Sequence, residues 1–192
     1  MLISKFKTND SMDTNALKNE ITGMEEKYNI ALPDQYQDFL CKYNGGYTPK
    51  TNFKIKKISS DIRGFYGIGD VKLSLDDLDL EEWLDIGLFP IACDSFGNDI
   101  ALGLTGTMKG KIYFCDHEKG NKADCLAENL KDFLKRCKSE EISEASRRSI
   151  KEREELLIAN GRGHIITDAL RARWQTEIDK YGNMVQEEVI ID

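Results

Sequence analysis

The chain has 192 residues, 40% of them hydrophobic and 32% charged, and a formal net charge of −7. That length suits one well-cored domain with an appendage, or two small domains. The negative balance argues against a protein held on nucleic acid by phosphate contacts, and no apolar run approaches the roughly 20 residues that span a bilayer.

The first ten residues, MLISKFKTND, lack the apolar core of a signal peptide. Thr14 is the expected cap of a first helix, with Leu17, Ile21, Met24 and Tyr28 on its inner face. Asn29 to Leu32 joins it to a second helix that carries its own start and stop signals. Pro33 sits at the first helical position, Asp34 meets the positive helix end, and Asn44-Gly45-Gly46 favours the left-handed stop. Tyr36, Phe39, Leu40 and Tyr43 recur at helical spacing, and so short a helix needs its aromatic stripe docked.

Helical periodicity then gives way to alternation at Phe53-Lys54-Ile55-Lys56. Ile62 to Ile68 is a second expected strand, bent where Gly64, Gly67 and Gly69 interrupt it. A short helix is expected over Leu80 to Asp85. From Leu88 three alternating runs follow, ending at Cys93, Leu104 and Asp116, joined by short Gly-containing turns as in an antiparallel meander. Gly97 and Asn98 suit the first of those turns, and Phe65, Phe89 and Phe114 are sized for the inner face of the sheet. Asp124 is the expected cap of a helix carrying Leu126, Leu130, Phe133, Leu134 and Cys137. Helices, strands, then a helix is an α+β order: N-terminal helices packed on a mostly antiparallel sheet.

The composition changes at Lys138, so the expected division is a domain over 1–138 and a helical extension over 139–192. KSEEISEASRRSIKEREELL is a charged helix with a thin apolar stripe. Asn160-Gly161-Arg162-Gly163 breaks it, and Ile166, Leu170, Trp174, Ile178 and Tyr181 form a better stripe in a second helix.

Four blocks in order, LPDQYQDFLCKYNGGY, GFYGIGD, LFPIACDSFGNDIALGL and GKIYFCDHE, resemble the signature of the SUKH superfamily, the Smi/Knr-like immunity proteins. The resemblance runs from about Leu17 to Cys137. It implies an α+β fold without catalysis and without a cofactor. It also implies a protein partner: most bacterial members protect a cell by binding a polymorphic toxin, typically a nuclease or another nucleic-acid-directed or protein-modifying enzyme, whereas others act as regulatory or scaffold binding proteins. Residues 139–192 fall outside the resemblance. A toxin contact, a homodimer through the C-terminal helices, and a place in the body of the domain are all open to them.

Charge distribution singles out one stretch. Between Asp70 and Asp99 nine acidic residues face a single base, Lys72, so this segment carries −8 and the rest of the chain +1. Most charge runs are solvated faces, but such a surface also steers a basic partner. The partner-binding candidates are Asp76, Asp77, Asp79, Glu81, Glu82 and Asp85, with Trp83 as an aromatic anchor.

The remaining chemical motifs are weaker. Asp116-His117-Glu118 suggests a general base or metal ligand, yet the other histidine, His164, lies far along the chain. Asp94, Asp99 and Asp116 could meet at one end of the meander around a divalent cation, and a hydrolase would use Asp94, Asp116 and His117. Gly64, Gly67 and Gly69 lack the lysine of a phosphate loop. Five cysteines, Cys41, Cys93, Cys115, Cys125 and Cys137, form no CxxC pair, which fits free thiols in a reducing cytoplasm. No catalytic, cofactor or metal residues are assigned.

Overall fold

The computed structural model describes residues 1–6, 13–120 and 122–191. After a two-residue strand, β1 (Leu2–Ile3), the chain enters helix α1 (Thr14–Tyr28). Its cap is Asp13, whose carboxylate accepts from the Asn15 amide at 3.2 Å, so Thr14 is the first helical residue rather than the cap. Asn29 ends α1 at φ 51°, and α2 (Asp34–Tyr43) follows with Pro33 as its cap residue. Tyr36, Phe39, Leu40 and Tyr43 are all buried, and Asn44 ends the helix at φ 44°.

The strands β2 (Gly46–Ile55), β3 (Ile58–Phe65), β4 (Leu88–Cys93), β5 (Asp99–Gly103), β6 (Ile112–Asp116), β7 (Lys122–Ala127) and β8 (Cys137–Ser139) form one antiparallel sheet in the order β7-β6-β5-β4-β3-β2-β8. Helix α3 (Leu80–Asp85) precedes β4, and α4 (Leu130–Arg136) lies between β7 and β8. The fold is α+β.

Three expected elements differ. The charged run from Lys138 to Leu157 is not one helix: it starts in β8, and two capped helices follow, Glu144–Arg147 and Ile150–Ala159, parted at the extended Arg148. The segment around Asp124 is strand β7, paired in register with β6, and the helix begins later, under an Asn129 cap that accepts from the Asp132 amide at 2.8 Å. Lys122 to Ala127 alternates outward and inward, and the turn after Asp116 folds it back onto β6, which a helical reading of Leu126 and Leu130 misses. The second strand covers Ile58–Phe65 instead of Ile62 to Ile68, because the hairpin from β2 turns already at Lys56 and Lys57.

One sheet face carries Phe53, Phe65, Phe89, Ile100, Leu102 and Phe114 and shares a core with α2, α4 and Ile21 of α1. Ring pairs knit it: Phe39 stands 4.9 Å from Phe65, and Phe53 stands 5.6 Å from Phe133 and 6.1 Å from Phe114. The opposite face holds a smaller cluster of Leu88, Ala101, Tyr113 and Cys115, flanked by Trp83, Met108, Ala123 and Cys125.

The chain divides into two compact units, Met1–Glu140 with Glu187–Asp192, and Glu141–Gln186. The first unit includes the end of the chain. There β9 (Glu187–Glu188) pairs with β1, and the buried Ile191 joins the main core. The second unit comprises α5 (Glu144–Arg147), α6 (Ile150–Ala159) and α7 (Asp168–Tyr181). A capping box of Ser149 and Glu152 opens α6, and Thr167 caps α7. Arg153 bonds Glu177 at 2.8 Å and lies 5.9 Å from the Trp174 ring centre.

Candidate partner-binding surface

The acidic stretch leaves the sheet at the end of β3 and returns at β4, and its shape is set by a few anchors. The buried Asn44 amide clamps Ile68, accepting from its N–H at 2.8 Å and donating to its carbonyl at 3.0 Å. Gly67 passes so close to α2 that a Cβ there would stand 2.2 Å from the Asn44 carbonyl oxygen. Ser74 caps a single 3-10 turn, Leu75–Asp77, and donates to the Gly69 carbonyl. Leu75 and Leu80 plunge into the core, which leaves the polar residues between them outside.

Asp76, Asp77, Asp79, Glu81, Glu82 and Asp85 are all exposed. Asp76 accepts from the Gly69 amide at 3.1 Å, and none of the six forms an ion pair among the described residues. One cation in their field is Lys27 on α1. Its amine is held above its usual pKa first by the Tyr28 hydroxyl and, to a smaller degree, by Asp76 and Glu81. Glu81 and Glu82 also occupy the first turn of α3, where negative charge is favoured.

Trp83 is half-buried, with its ring against the small cluster on the second sheet face. Beside it Ile86 is 51% exposed, an apolar neighbour of the carboxylates that sequence reasoning passed over. The signal was present: Ile86 stands between Asp85 and Gly87, off the spacing that buries Leu80 and packs the half-buried Leu84 against the core.

The other end of the meander behaves differently. Asp94 is 2% exposed and accepts from Ser60, from the Phe96 and Asn98 amides and from the Asn98 side chain, all within 2.8 Å. Asp99 accepts from the Tyr66 hydroxyl at 2.7 Å. Thus two of the nine acids in the segment are structural and lie apart from the exposed set. Asp116 pairs with Lys119 at 2.5 Å, which holds its carboxyl below the usual range, and it accepts from the Glu118 amide. The His117 ring meets the amide oxygen of Asn98 at 2.9 Å. No group of three or more metal-ligating side chains occurs among the described residues. Cys93 and Cys115 are buried, and burial raises both thiols, Cys115 to about 12. No described helix is long and apolar enough to cross a membrane.

A helix-covered antiparallel sheet of this topology defines a protein of the α+β class. The family model SUKH_6, described as SMI1-KNR4 cell-wall, matches residues 18–134, and the chain belongs to this family. It is also similar to the SPbeta prophage-derived uncharacterized protein YokK of Bacillus subtilis (strain 168), at 30% identity over 130 residues. That alignment covers 56% of this chain and 64% of the relative's length.

Proposed function

We propose that this protein is an immunity protein, which neutralises a cognate polymorphic toxin by stoichiometric association rather than by catalysis. The toxin is a nuclease or another enzyme with a basic active-site surface, and the contact is made by Asp76, Asp77, Asp79, Glu81, Glu82 and Asp85. Trp83 and the exposed Ile86 supply the apolar centre of that contact. One observation carries the reading: six carboxylates stand exposed on a pinned loop, and none is ion-paired with a cation among the described residues. Membership of the family supports the immunity role, and the prophage origin of one relative is in keeping with it.

The test replaces Asp76, Asp77 and Asp79 together by Asn and measures association with the product of the neighbouring gene, at several salt concentrations. Steering of this kind speeds encounter by roughly 10- to 1,000-fold at low ionic strength. The triple variant should therefore associate at least about tenfold more slowly in low salt, with a flatter salt dependence. An unchanged on-rate and an unchanged salt slope would remove the acidic loop from the contact.

A further inference from the structure

The outer face of the sheet is basic where β8, β2 and β3 meet. Lys50 and Lys54 of β2, Arg63 of β3 and Lys138 of β8 alternate with the buried Thr51, Phe53, Ile62 and Cys137 and stand on the side away from the core. Asn52 pairs with Lys138, so Lys54 and Lys138 are diagonal neighbours on that face. Lys57 extends the row at the turn between β2 and β3. These five cations are exposed, and none is ion-paired among the described residues. Two acids accompany them: Asp61, which accepts from the Ser95 amide at 2.9 Å, and Glu140, whose amide donates to the Lys50 carbonyl. Like charges gathered this closely repel, and an anionic body laid over the row relieves that cost.

An apolar anchor stands beside the row. The turn between β4 and β5 lies against β3, through the Ser60 hydroxyl on Asp94 at 2.6 Å and the Ser95 amide on Asp61. The buried Asp94 carboxylate also holds the Phe96 and Asn98 amides, so the tip of the turn is fixed. There Phe96 is 67% exposed. A ring on so fixed a backbone has little freedom to lose on burial, which suits it to the centre of a contact.

The occupant that fits is acidic and brings an apolar residue of its own. A nucleic acid has the charge, but the net −7 of this protein repels it. A second copy has both: its loop sets Ile86, 51% exposed, among Asp76, Asp77, Asp79 and Asp85. We propose that the acidic loop of one copy docks on the outer sheet face of a second copy, with carboxylates over Lys54, Arg63 and Lys138 and Ile86 against Phe96. Such a pair covers the loop, so self-association and capture of a basic partner exclude one another. The pairing rests on the two surfaces of this protein alone and needs no toxin.

Sedimentation velocity of the full chain tests this, over about 1 to 100 µM protein and at about 0.05 and 0.5 M salt. In low salt the average mass should rise at least about 1.5-fold with concentration, and high salt should return it to the monomer. Two surface variants dissect the contact: Lys54→Glu with Lys138→Glu, and Asp77→Lys with Asp79→Lys. Each alone should stay monomeric in low salt, and an equimolar mixture should regain a 1:1 pair, because the first keeps the loop and the second keeps the face. Phe96→Ser should weaken the wild-type association at least about fivefold. A wild type that is monomeric throughout, a Lys54/Lys138 variant that still associates, or a mixture that fails to pair would overturn the proposal. An undiminished Phe96→Ser response would also overturn it, leaving only unspecific attraction. Binding of a DNA duplex by the wild type without self-association would assign the face to a polyanion instead. All these readouts are taken without a toxin, so contact of the acidic loop with one stands or falls separately.

Discussion

Asn44 shows how much one side chain can settle. It ends α2 in the left-handed region at φ 44°, and its amide makes both bonds to the Ile68 backbone. Asn44→Ala would strand a buried N–H and C=O, each worth about 1–3 kcal/mol, and would keep the unfavourable φ. We expect a loss of about 2–4 kcal/mol in urea unfolding, with faster amide exchange across residues 66–79; a loss below about 1 kcal/mol would refute the clamp. The Asn-Gly-Gly stop was legible, because it follows from what Asn and Gly tolerate. The clamp was not, since its partner lies 24 residues away. Asp99 makes a second residue-scale case. Burial above all holds its carboxyl over the ordinary 3.8, while the Tyr66 hydroxyl pulls the other way. The folded state thus binds this proton more tightly than the unfolded chain does. The resulting stabilisation is complete below 3.8 and is lost as the pH rises through the raised value. Asp99→Asn, neutral throughout and still able to accept from Tyr66, should gain stability relative to the wild type at pH 7. That advantage should shrink as the pH falls toward 3.5, measured by urea midpoints. A difference that is constant, or that grows in acid, would contradict the sign.

At the scale of elements, local and tertiary information separate cleanly. Helix α3 was legible at Leu80–Asp85 because an apolar residue every three or four positions among carboxylates has few alternatives. Strand β7 was not, because Leu126 and Leu130 fit a helical stripe as well as they fit a strand end and a helix start. Pairing with β6 decides between the two. The acidic loop was legible as a surface, since carboxylates are seldom fully buried. The basic face was not, because Lys54 and Lys138 become neighbours only where β8 pairs with β2. The C-terminal strand shows the same dependence on tertiary partners. The Tyr43 hydroxyl accepts from the Ile190 amide at 2.8 Å, Lys42 donates to the Ile190 carbonyl, and the Val189 amide donates to the carbonyl of Met1. Two residues of pairing between β1 and β9 are little by themselves, so these side chains do much of the holding. Tyr43→Phe should cost about 1–2 kcal/mol locally and speed exchange of the Val189 and Ile190 amides roughly tenfold, read by hydrogen exchange. Unchanged protection would show that the buried Ile191 suffices alone.

Across the whole molecule, charge and burial are divided unevenly between the two units. Residues 141–186 contain eight acidic and eight basic side chains, so the entire −7 belongs to the other unit. The acidic character is therefore a property of the sheet-bearing unit. Burial follows the same division. The sheet unit packs aromatic rings at 0–2% exposure, whereas α7 buries no residue and α6 buries only Arg153. Leu156 and Ile158 are 43% and 61% exposed. Polar links supply much of the definition of Glu141–Gln186. Arg171 bridges Glu154 and Asp168, Arg147 donates to the Met184 carbonyl, and the Ile142 amide donates to Gln186. Exposed ion pairs contribute only about 0–1 kcal/mol each and weaken with salt. Helices of 10 and 14 residues with so little buried apolar area should then open well below the global unfolding free energy. Hydrogen exchange followed by mass spectrometry should find the amides of α6 and α7 at least about 100-fold less protected than those of β4, β5 and β6, a gap of about 2.7 kcal/mol. Raising the salt from 0.05 to 0.5 M should widen that gap, because the ion pairs of the helical unit are screened while the aromatic core is not. Equal protection in both units would mean that the helices draw their stability from burial, and their half-exposed Leu157, Leu170 and Trp174 would then have to be covered by a partner.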